Sequence, residues 1–188
     1  MKNILAFSGS LRRGSINTGL LRAAIAIGKA NDLNITLVDI AHLPMYNQDL
    51  EVNFPPEVTE LKNKIRAVDG ILIATPEFNR SIPGALKNLF DWTSRPYGDN
   101  AWAGKTVAMM GAGGSVGTAL AQADLKKILL YLDARVLGQP EFYVNANNKF
   151  NEQGDLTDEK TKEYLKRLLE SLRKIITPPN LPLSQGEE

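Results

Sequence analysis

The sequence predicts an α/β fold with a doubly wound, five-stranded parallel sheet that is covered by helices on both faces. Five short apolar segments alternate with five segments of helical periodicity along the 188 residues. Connections of this kind force parallel strand pairing with right-handed crossovers. The clearest strand, residues 70–75, is apolar without alternation. Such a run is typical of a central strand that is buried on both faces.

The first half of the chain supplies two strands and two helices. Residues 3–7 and 34–39 are short apolar runs that predict strands. Apolar residues at helical spacing predict a helix over residues 15–31 and a second helix that begins near Pro56, since proline suits the first turn of a helix. The loop before that helix, residues 42–50, is long, as functional and interface loops often are.

The second half continues the alternation after strand 70–75. A third helix is predicted to open at Pro83, and residues 105–110 form the fourth strand. The fifth strand lies within residues 135–144, interrupted at Gly138 and Pro140, because proline cannot donate to a strand ladder. The two remaining helices are predicted from Leu120, Ala123, Ile128 and Leu132, and over about residues 158–176.

The chain is expected to form one domain over residues 1–176, followed by a proline-rich tail over residues 177–188. Its formal charge of +1 lacks the basic excess of a nucleic-acid binder. The sequence contains no apolar run of about 18 residues and no charged leader, so we expect no membrane insertion and a cytoplasmic location.

Composition also limits the chemistry. The chain has no cysteine and a single histidine, His42, which we expect to be a surface or loop residue. Thiol nucleophiles, disulfides and thiolate metal sites are therefore excluded, and a serine–histidine triad is poorly supplied. No metal site and no catalytic side chain is predicted. If the protein is an enzyme, we expect a cofactor to supply the chemistry.

The segment after the first strand, residues 8–17, reads as a loop followed by a helix start. A helix N-terminus has free amide hydrogens and favours negative charge, and Arg12 or Arg13 adds fixed charge suited to a phosphate. The segment has the glycine spacing of a P-loop, but Ser15 replaces its lysine; it also does not match G-x-G-x-x-G. A terminal phosphate, as on FMN, fits better. The alternative is a loop of capping residues with solvated arginines.

Two further loops follow strands three and four, at residues 76–81 and 111–117. Ligands bind beyond the carboxyl ends of the strands in open sheets of this kind. Pro76 and Phe78 offer an apolar surface for an isoalloxazine ring, Asn79 offers a donor and an acceptor, and the glycine loop leaves room for close approach. The alternatives are a core position for Phe78 and a simple tight turn for the glycines.

Several motifs occur together along the chain. They are Gly9-Ser-Leu-Arg12, Gly14-Ser-Ile-Asn17, Thr75-Pro-Glu-Phe-Asn79, Pro83-Gly-Ala-Leu-Lys-Asn88 and Asp91-Trp-Thr-Ser-Arg95. In this combination the sequence resembles the NADPH-dependent FMN reductase family over residues 1 to about 176. The family includes flavin, quinone, chromate and azo-dye reductases. The resemblance implies a flavodoxin-like fold with strand order 2-1-3-4-5.

The resemblance also implies a set of FMN-binding residues. Those at the phosphate are Ser10, Leu11, Arg12, Ser15, Ile16 and Asn17, and those at the ring are Pro76, Glu77, Phe78, Asn79, Arg80 and Gly113. This sequence departs from the family in two places. Phe78 stands where many relatives have tyrosine, and the glycine loop is plainer than the serine-rich loop of some members.

The activity that the resemblance implies is hydride transfer from NADPH or NADH through bound FMN to a small-molecule acceptor, such as a quinone, free flavin, azo compound or oxidised metal ion. In these relatives the flavin lies near a subunit interface, so we expect a homodimer or homotetramer. The loop at residues 44–50 is then expected to come from the neighbouring subunit. Trp92, Trp102 and Tyr97 are candidates for that interface, with core packing as the alternative for Trp92.

Two other functions are compatible with such a fold. A flavodoxin-type electron carrier passes single electrons between proteins without oxidising NAD(P)H, but carriers of that kind present an acidic face and this chain has balanced charge. A dehydrogenase that binds NAD in the glycine loop would contain no flavin. The third glycine position of that loop is occupied by Val116, which makes it a weak dinucleotide motif.

Overall fold

The computed structural model describes residues 1–176. In this part of the chain six strands form the sheet, at Lys2–Ser8 (β1), Leu33–Val38 (β2), Gly70–Ala74 (β3), Thr106–Gly113 (β4), Arg135–Val136 (β5) and Tyr143–Asn145 (β6). All the strand pairs are parallel. The order is β2-β1-β3-β4-β5, with β6 pairing with the end of β4, which confirms the predicted flavodoxin-like topology. The predicted tail lies outside the described residues.

Within residues 1–176, five α-helices cover the sheet, and a short 3₁₀ helix at Gln48–Asn53 precedes the second of them. The α-helices are Ile16–Lys29 (α1), Pro56–Ala67 (α2), Gly84–Thr93 (α3), Ala119–Tyr131 (α4) and Glu159–Ile176 (α5). α1 and α5 pack on one face of the sheet, against Ile4 and Ala6. α2, α3 and α4 pack on the other, against Leu5 and Phe7. Alternate residues of β1 thus serve two separate cores, as expected for a doubly wound sheet.

The carboxyl end of the sheet differs from the sequence prediction in one respect. β4 continues through Gly111–Gly113, which we expected to form a loop, because these residues pair with β6. The predicted fifth strand is split into β5 and β6, and the break spans Gly138 and Pro140 as expected. The glycine-rich stretch is therefore partly a strand edge, and only residues 114–118 connect it to α4.

Both tryptophans belong to the core. Trp92 and Trp102 are fully buried, and Trp102 donates from its indole nitrogen to Thr93 over 2.7 Å. Our suggestion that they lie at a subunit interface is therefore wrong for this fold, since the chain itself covers them. Tyr97, by contrast, has 83% of its surface exposed.

The long loop after β2 is fixed to α3 of its own chain. The Pro44 carbonyl accepts hydrogen bonds from the side chains of Asn88 (2.9 Å) and Trp92 (2.7 Å). Further along, the Glu51 carboxylate accepts from Arg95 and from the Tyr46 hydroxyl, both over 2.6 Å. The bond from Arg95 has the largest effect in lowering the pKa of Glu51, and the bond from Tyr46 lowers it further. The loop is thus anchored while it presents the exposed side chains of Met45, Leu50 and Val52.

Among residues 1–176, no helix has both the length and the apolar character needed to cross a membrane.

Candidate functional site

The three loops singled out in the sequence meet at the carboxyl edge of the sheet and enclose one cleft of about 630 Å³. This volume lies within the range of small-molecule sites, about 300–1,000 Å³. Eleven of the twelve predicted residues line it: Ser10, Arg12, Ser15, Ile16, Asn17, Pro76, Glu77, Phe78, Asn79, Arg80 and Gly113. The twelfth, Leu11, lines a neighbouring cleft on the β2 side of the same loop.

One end of the cleft is the start of α1. Ser15 is the N-cap residue, and its hydroxyl accepts from the amide of Thr18 over 3.2 Å. Among the described residues, the amides of Ile16 and Asn17 have no hydrogen-bond acceptor, so they remain available to an anion in the cleft.

Arg12 supplies the positive charge at this end. Within residues 1–176 its guanidinium makes one hydrogen bond, to the Gly14 carbonyl over 2.9 Å, and pairs with no carboxylate. Its other donors are therefore available. Arg13, which the sequence left as an equal candidate, lines neither cleft. Free helix amides beside a free guanidinium are the donor set that a phosphate monoester requires.

Asn17 connects this end of the cleft to β4. Its side-chain amide donates to the carbonyl of Ala112 over 3.0 Å, and its side-chain oxygen accepts from the amide of Ala112 over 2.9 Å. Asn17 is buried, and this pair satisfies both backbone groups of Ala112. Asn17 therefore lines the cleft as predicted, but its side-chain polar atoms join α1 to β4.

The start of α1 is also packed from outside the cleft. A β-carbon at Gly19 would overlap the carbonyl oxygen of Gly154, so only glycine allows the backbone of this segment to reach the helix. Arg22 adds an ion pair to Asp155 over 2.6 Å. The loop before α5 thus supports the helix whose N-terminus faces the cleft.

The opposite end of the cleft is a tight turn after β3. Phe78 and Ser81 exchange two backbone hydrogen bonds of 3.0 Å. The two residues between them have positive φ, 50° at Asn79 and 68° at Arg80. This is the pattern of a type I′ turn, for which asparagine is well suited at the first position. Phe78 has 53% of its surface exposed, which excludes the core position considered for it.

Glu77 fixes this turn to α4. Its carboxylate accepts from the amides of Leu120 (3.0 Å) and Ala121 (3.2 Å) in the first turn of the helix, whose N-cap residue Thr118 makes no side-chain cap bond. Arg80 lies 3.3 Å from the same carboxylate. A carboxylate at a helix N-terminus is stabilised by the free amides and the helix dipole. Because the Glu77 carboxylate is bound to α4, only the backbone of Glu77 remains for the predicted contact with the flavin ring.

A second link joins the turn to the same helix. The 2.5 Å ion pair with Lys127 lowers the pKa of Asp124 on α4, and a hydrogen bond with Ser81 lowers it further. The bond with Ser81 is the link, because Ser81 closes the turn.

The floor of the cleft is the end of β4 and the connection to α4. A β-carbon at Gly111 would overlap the carbonyl oxygen of Thr75 and the hydroxyl of Thr118, so glycine allows the backbones after β3 and β4 to lie side by side. The cleft residues that sequence reasoning omitted all lie on this stretch: Ala112, Gly114, Ser115, Val116 and Gly117. The sequence signal for these residues was the glycine-rich composition of segment 111–117, from which we selected only Gly113 as a site residue.

The arrangement has the parts of a mononucleotide site with a flat ring. It combines amides and a guanidinium at one end, an exposed aromatic side chain and exposed backbone at the other, and glycines between. Within residues 1–176, no group of three or more histidine, cysteine, aspartate or glutamate side chains is placed to hold a metal ion.

Comparisons with known proteins agree with this geometry. The sequence profile of the family described as NADPH-dependent FMN reductase matches residues 2–149. An NADPH:quinone oxidoreductase of Arabidopsis thaliana is 46% identical over 177 residues, which cover 90% of this chain and 89% of that protein. An NAD(P)H-dependent FMN reductase of Pseudomonas aeruginosa is 42% identical over 173 residues, 90% of this chain and 92% of that one.

A solved structure shares both fold and sequence. FerB, a flavoenzyme NAD(P)H:(acceptor) oxidoreductase from Paracoccus denitrificans, superimposes with a TM-score of 0.84 at 38% identity, covering 92% of this chain and 95% of that one. The family comparison therefore confirms the resemblance read from the motifs, and the electron-carrier and flavin-free dehydrogenase alternatives fall away. With its fold, its cleft and its relatives in agreement, this chain belongs to the NADPH-dependent FMN reductase family and is an NAD(P)H-dependent oxidoreductase that uses FMN.

Proposed function

We propose that FMN lies in the 630 Å³ cleft with its phosphate at the N-terminus of α1 and its ring over the turn after β3. The observation that chiefly supports this orientation is the position of the charge. The free amides of Ile16 and Asn17 and the free donors of Arg12 all lie at one end of the cleft, whereas the exposed Phe78 lies at the other. A flavin mononucleotide has the same polarity, with a dianion at one end and an aromatic ring at the other.

FMN, when bound, supplies the chemistry of accepting a hydride from NAD(P)H and passing it to an acceptor. The chain's residues bind and orient. Ser10 and Ser15 donate hydrogen bonds to the phosphate, Arg12 offsets part of its charge, and the backbone of residues 77–80 and of Gly113 faces the polar edge of the ring. Donors fixed along that edge stabilise negative charge as it develops on the reduced ring. No side chain is assigned as a general acid or base.

We further propose that the acceptor is a quinone. Relatives named as quinone oxidoreductases support this assignment, as does the open apolar surface around Phe78 and Val116, on which a flat apolar acceptor can lie. NAD(P)H and the quinone then occupy the same ring face in turn.

We propose that the working enzyme is a cytoplasmic homodimer or homotetramer. Met45, Leu50 and Val52 are exposed by 78%, 39% and 86%, on a loop that is anchored by Asn88, Trp92 and Arg95. Exposed apolar side chains on a loop that is held in place by hydrogen bonds suit a subunit interface, where a second copy of the chain covers them. Tyr97 is a further large side chain with an exposed surface, at 83%.

The direct test is the spectrum and turnover of the purified protein. We expect the absorbance of an oxidised flavin in the near ultraviolet and blue, release of FMN on denaturation, and rapid NADPH or NADH oxidation when benzoquinone is added. A protein that binds FMN but oxidises neither nicotinamide in the presence of benzoquinone, azo dye or free flavin would overturn the proposed function.

A further inference from the structure

A second cleft of about 380 Å³ lies on the other side of the phosphate-binding loop. Ser10 and Arg12 line both clefts, so the loop after β1 is a shared wall between them. The second cleft is also lined by the end of β2 and the first residues of the loop that follows it. A phosphate at the N-terminus of α1 therefore lies beside Arg12, which lines the second cleft as well.

The walls of the second cleft are suited to a heteroaromatic base. Leu11, with 56% of its surface exposed, lines this cleft together with the half-buried Leu37 and Val38 at the end of β2. An apolar side chain as exposed as Leu11 gains stability when a flat ring covers it. This position also explains why Leu11, predicted at the FMN phosphate, does not line the first cleft.

Asp39 provides the polar group of this cleft. It follows the last residue of β2 and is exposed, and its Oδ1 accepts from the amide of Ala41 over 2.9 Å, which orients the carboxylate. No described residue donates to its Oδ2. In Rossmann dinucleotide sites, a carboxylate that follows the phosphate-binding loop by about 20 residues accepts the 2′-hydroxyl of the adenosine ribose, and Asp39 offers the same kind of acceptor here.

Arg12 adds the third component. Its guanidinium uses one donor on the Gly14 carbonyl, and the residue lines both clefts. A diphosphate carries a second phosphate next to the first, and a planar guanidinium that is not paired with a carboxylate can serve both. Apolar walls, a carboxylate for a ribose and an arginine for a second phosphate together match adenosine monophosphate joined to the flavin phosphate.

We propose that the second cleft binds the adenosine monophosphate half of FAD, so that this chain accepts FAD as well as FMN. The inference rests on the flavin placement proposed above. The same ribose and base could instead belong to the reductant NADH, and the experiment separates these sources.

The experiment is a titration of the full-length protein, freed of its flavin, with FMN and with FAD, followed by quenching of flavin fluorescence. We expect FAD to bind within about threefold of FMN or more tightly. Asp39→Asn keeps the acceptor for the Ala41 amide but loses the charge facing the ribose. It should weaken FAD about tenfold, the value of one hydrogen bond to a charged group, and leave FMN unchanged. Asp133→Asn, an exposed substitution outside both clefts, is the control and should change neither.

Three results would overturn the inference. FAD that binds about 100-fold more weakly than FMN would mean that the second cleft repels the adenosine half, while the FMN placement would stand. An Asp39→Asn protein that leaves FAD affinity intact but raises the KM for NADH in the FMN-loaded enzyme would assign the cleft to the reductant. Failure of both flavins to bind would remove this inference together with the proposed function.

Discussion

The two ends of the cleft are built in different ways. The end at the start of α1, where we propose that the phosphate lies, is locked by backbone contacts: Asn17 pairs with both backbone groups of Ala112, and Gly154 packs directly on Gly19. The ring end is an exposed turn, and the Glu77 carboxylate is its main link to α4. The loop after β1 is thus part of the fold, whereas the turn after β3 is attached to it. Substitutions of the residues that lock the first end should therefore reduce stability, and those at the second end should mainly affect the flavin.

The largest expected effect is at Gly19. Gly19→Ala places a methyl group into the carbonyl of Gly154, and since both sides are backbone, the overlap can be relieved only by moving α1 or the loop before α5. We expect a loss of about 3 kcal/mol in the free energy of unfolding, at the upper end of overpacking effects. Denaturant titration measures it.

Gly84→Ala is the matched control, because nothing lies within 4 Å of a β-carbon there. It should alter stability by about 0.5 kcal/mol or less. Equal effects of the two substitutions would contradict the account of a locked phosphate end.

The next effect is at Asn17. Asn17→Ala leaves the amide and the carbonyl of Ala112 buried without partners, which costs about 1–3 kcal/mol for each group that water cannot reach. We expect a loss of about 2–3 kcal/mol in unfolding free energy, together with weaker FMN binding. Thermal and chemical unfolding with and without FMN measure both. If FMN affinity falls while stability is unchanged, Asn17 acts on the ligand and not on the fold.

Glu77 tests the ring end. Glu77→Ala removes the cap on α4 and should cost about 1 kcal/mol of stability, whereas Glu77→Gln keeps an acceptor oxygen and should cost less. Because the carboxylate positions the turn, we also expect the flavin reduction potential to shift in the alanine variant and to be largely restored in the glutamine variant. A potential that is the same in all three proteins would show that the turn holds its position without Glu77.

The smallest effect is the pH dependence of the loop after β2. Arg95 and then Tyr46 lower the pKa of Glu51 from its ordinary value of 4.5, so the stability from this carboxylate is present above that value. It is lost as pH falls through the lower pKa of the folded state, when the carboxylate becomes protonated. We expect faster proteolysis of residues 44–53 in acid than at pH 7, and no such change in Glu51→Gln. Equal acid sensitivity in the two proteins would contradict this assignment.

The sequence was informative wherever a local pattern determines the structure. The unbroken apolar run at residues 70–75 correctly indicated a central strand, and the segments rich in Gly, Ser, Asn and Pro after strands one, three and four correctly indicated where the cleft forms. Topology alone brings these segments together, because parallel strands end at the same edge.

The missed features all depend on contacts between distant residues. The pairing of Gly111–Gly113 with β6 requires a strand that follows about thirty residues later in the chain. The cap that Glu77 provides for α4 requires a partner 43 residues away. By sequence Trp92 could equally suit a core or an interface, and only the packing of Trp92 against Phe54 and of Trp102 against Phe7 places both tryptophans in the core.

The measurement that most directly tests the orientation of the flavin compares FMN with riboflavin, which lacks the phosphate. We predict that the flavin-free protein binds FMN about 100-fold more tightly or better, that Arg12→Ala reduces this preference by about tenfold, and that riboflavin affinity is unaffected. Arg13→Ala is the matched control, since Arg13 lines neither cleft, and should change nothing. Equal affinities for riboflavin and FMN, or equal losses for both in Arg12→Ala, would contradict a phosphate at the start of α1.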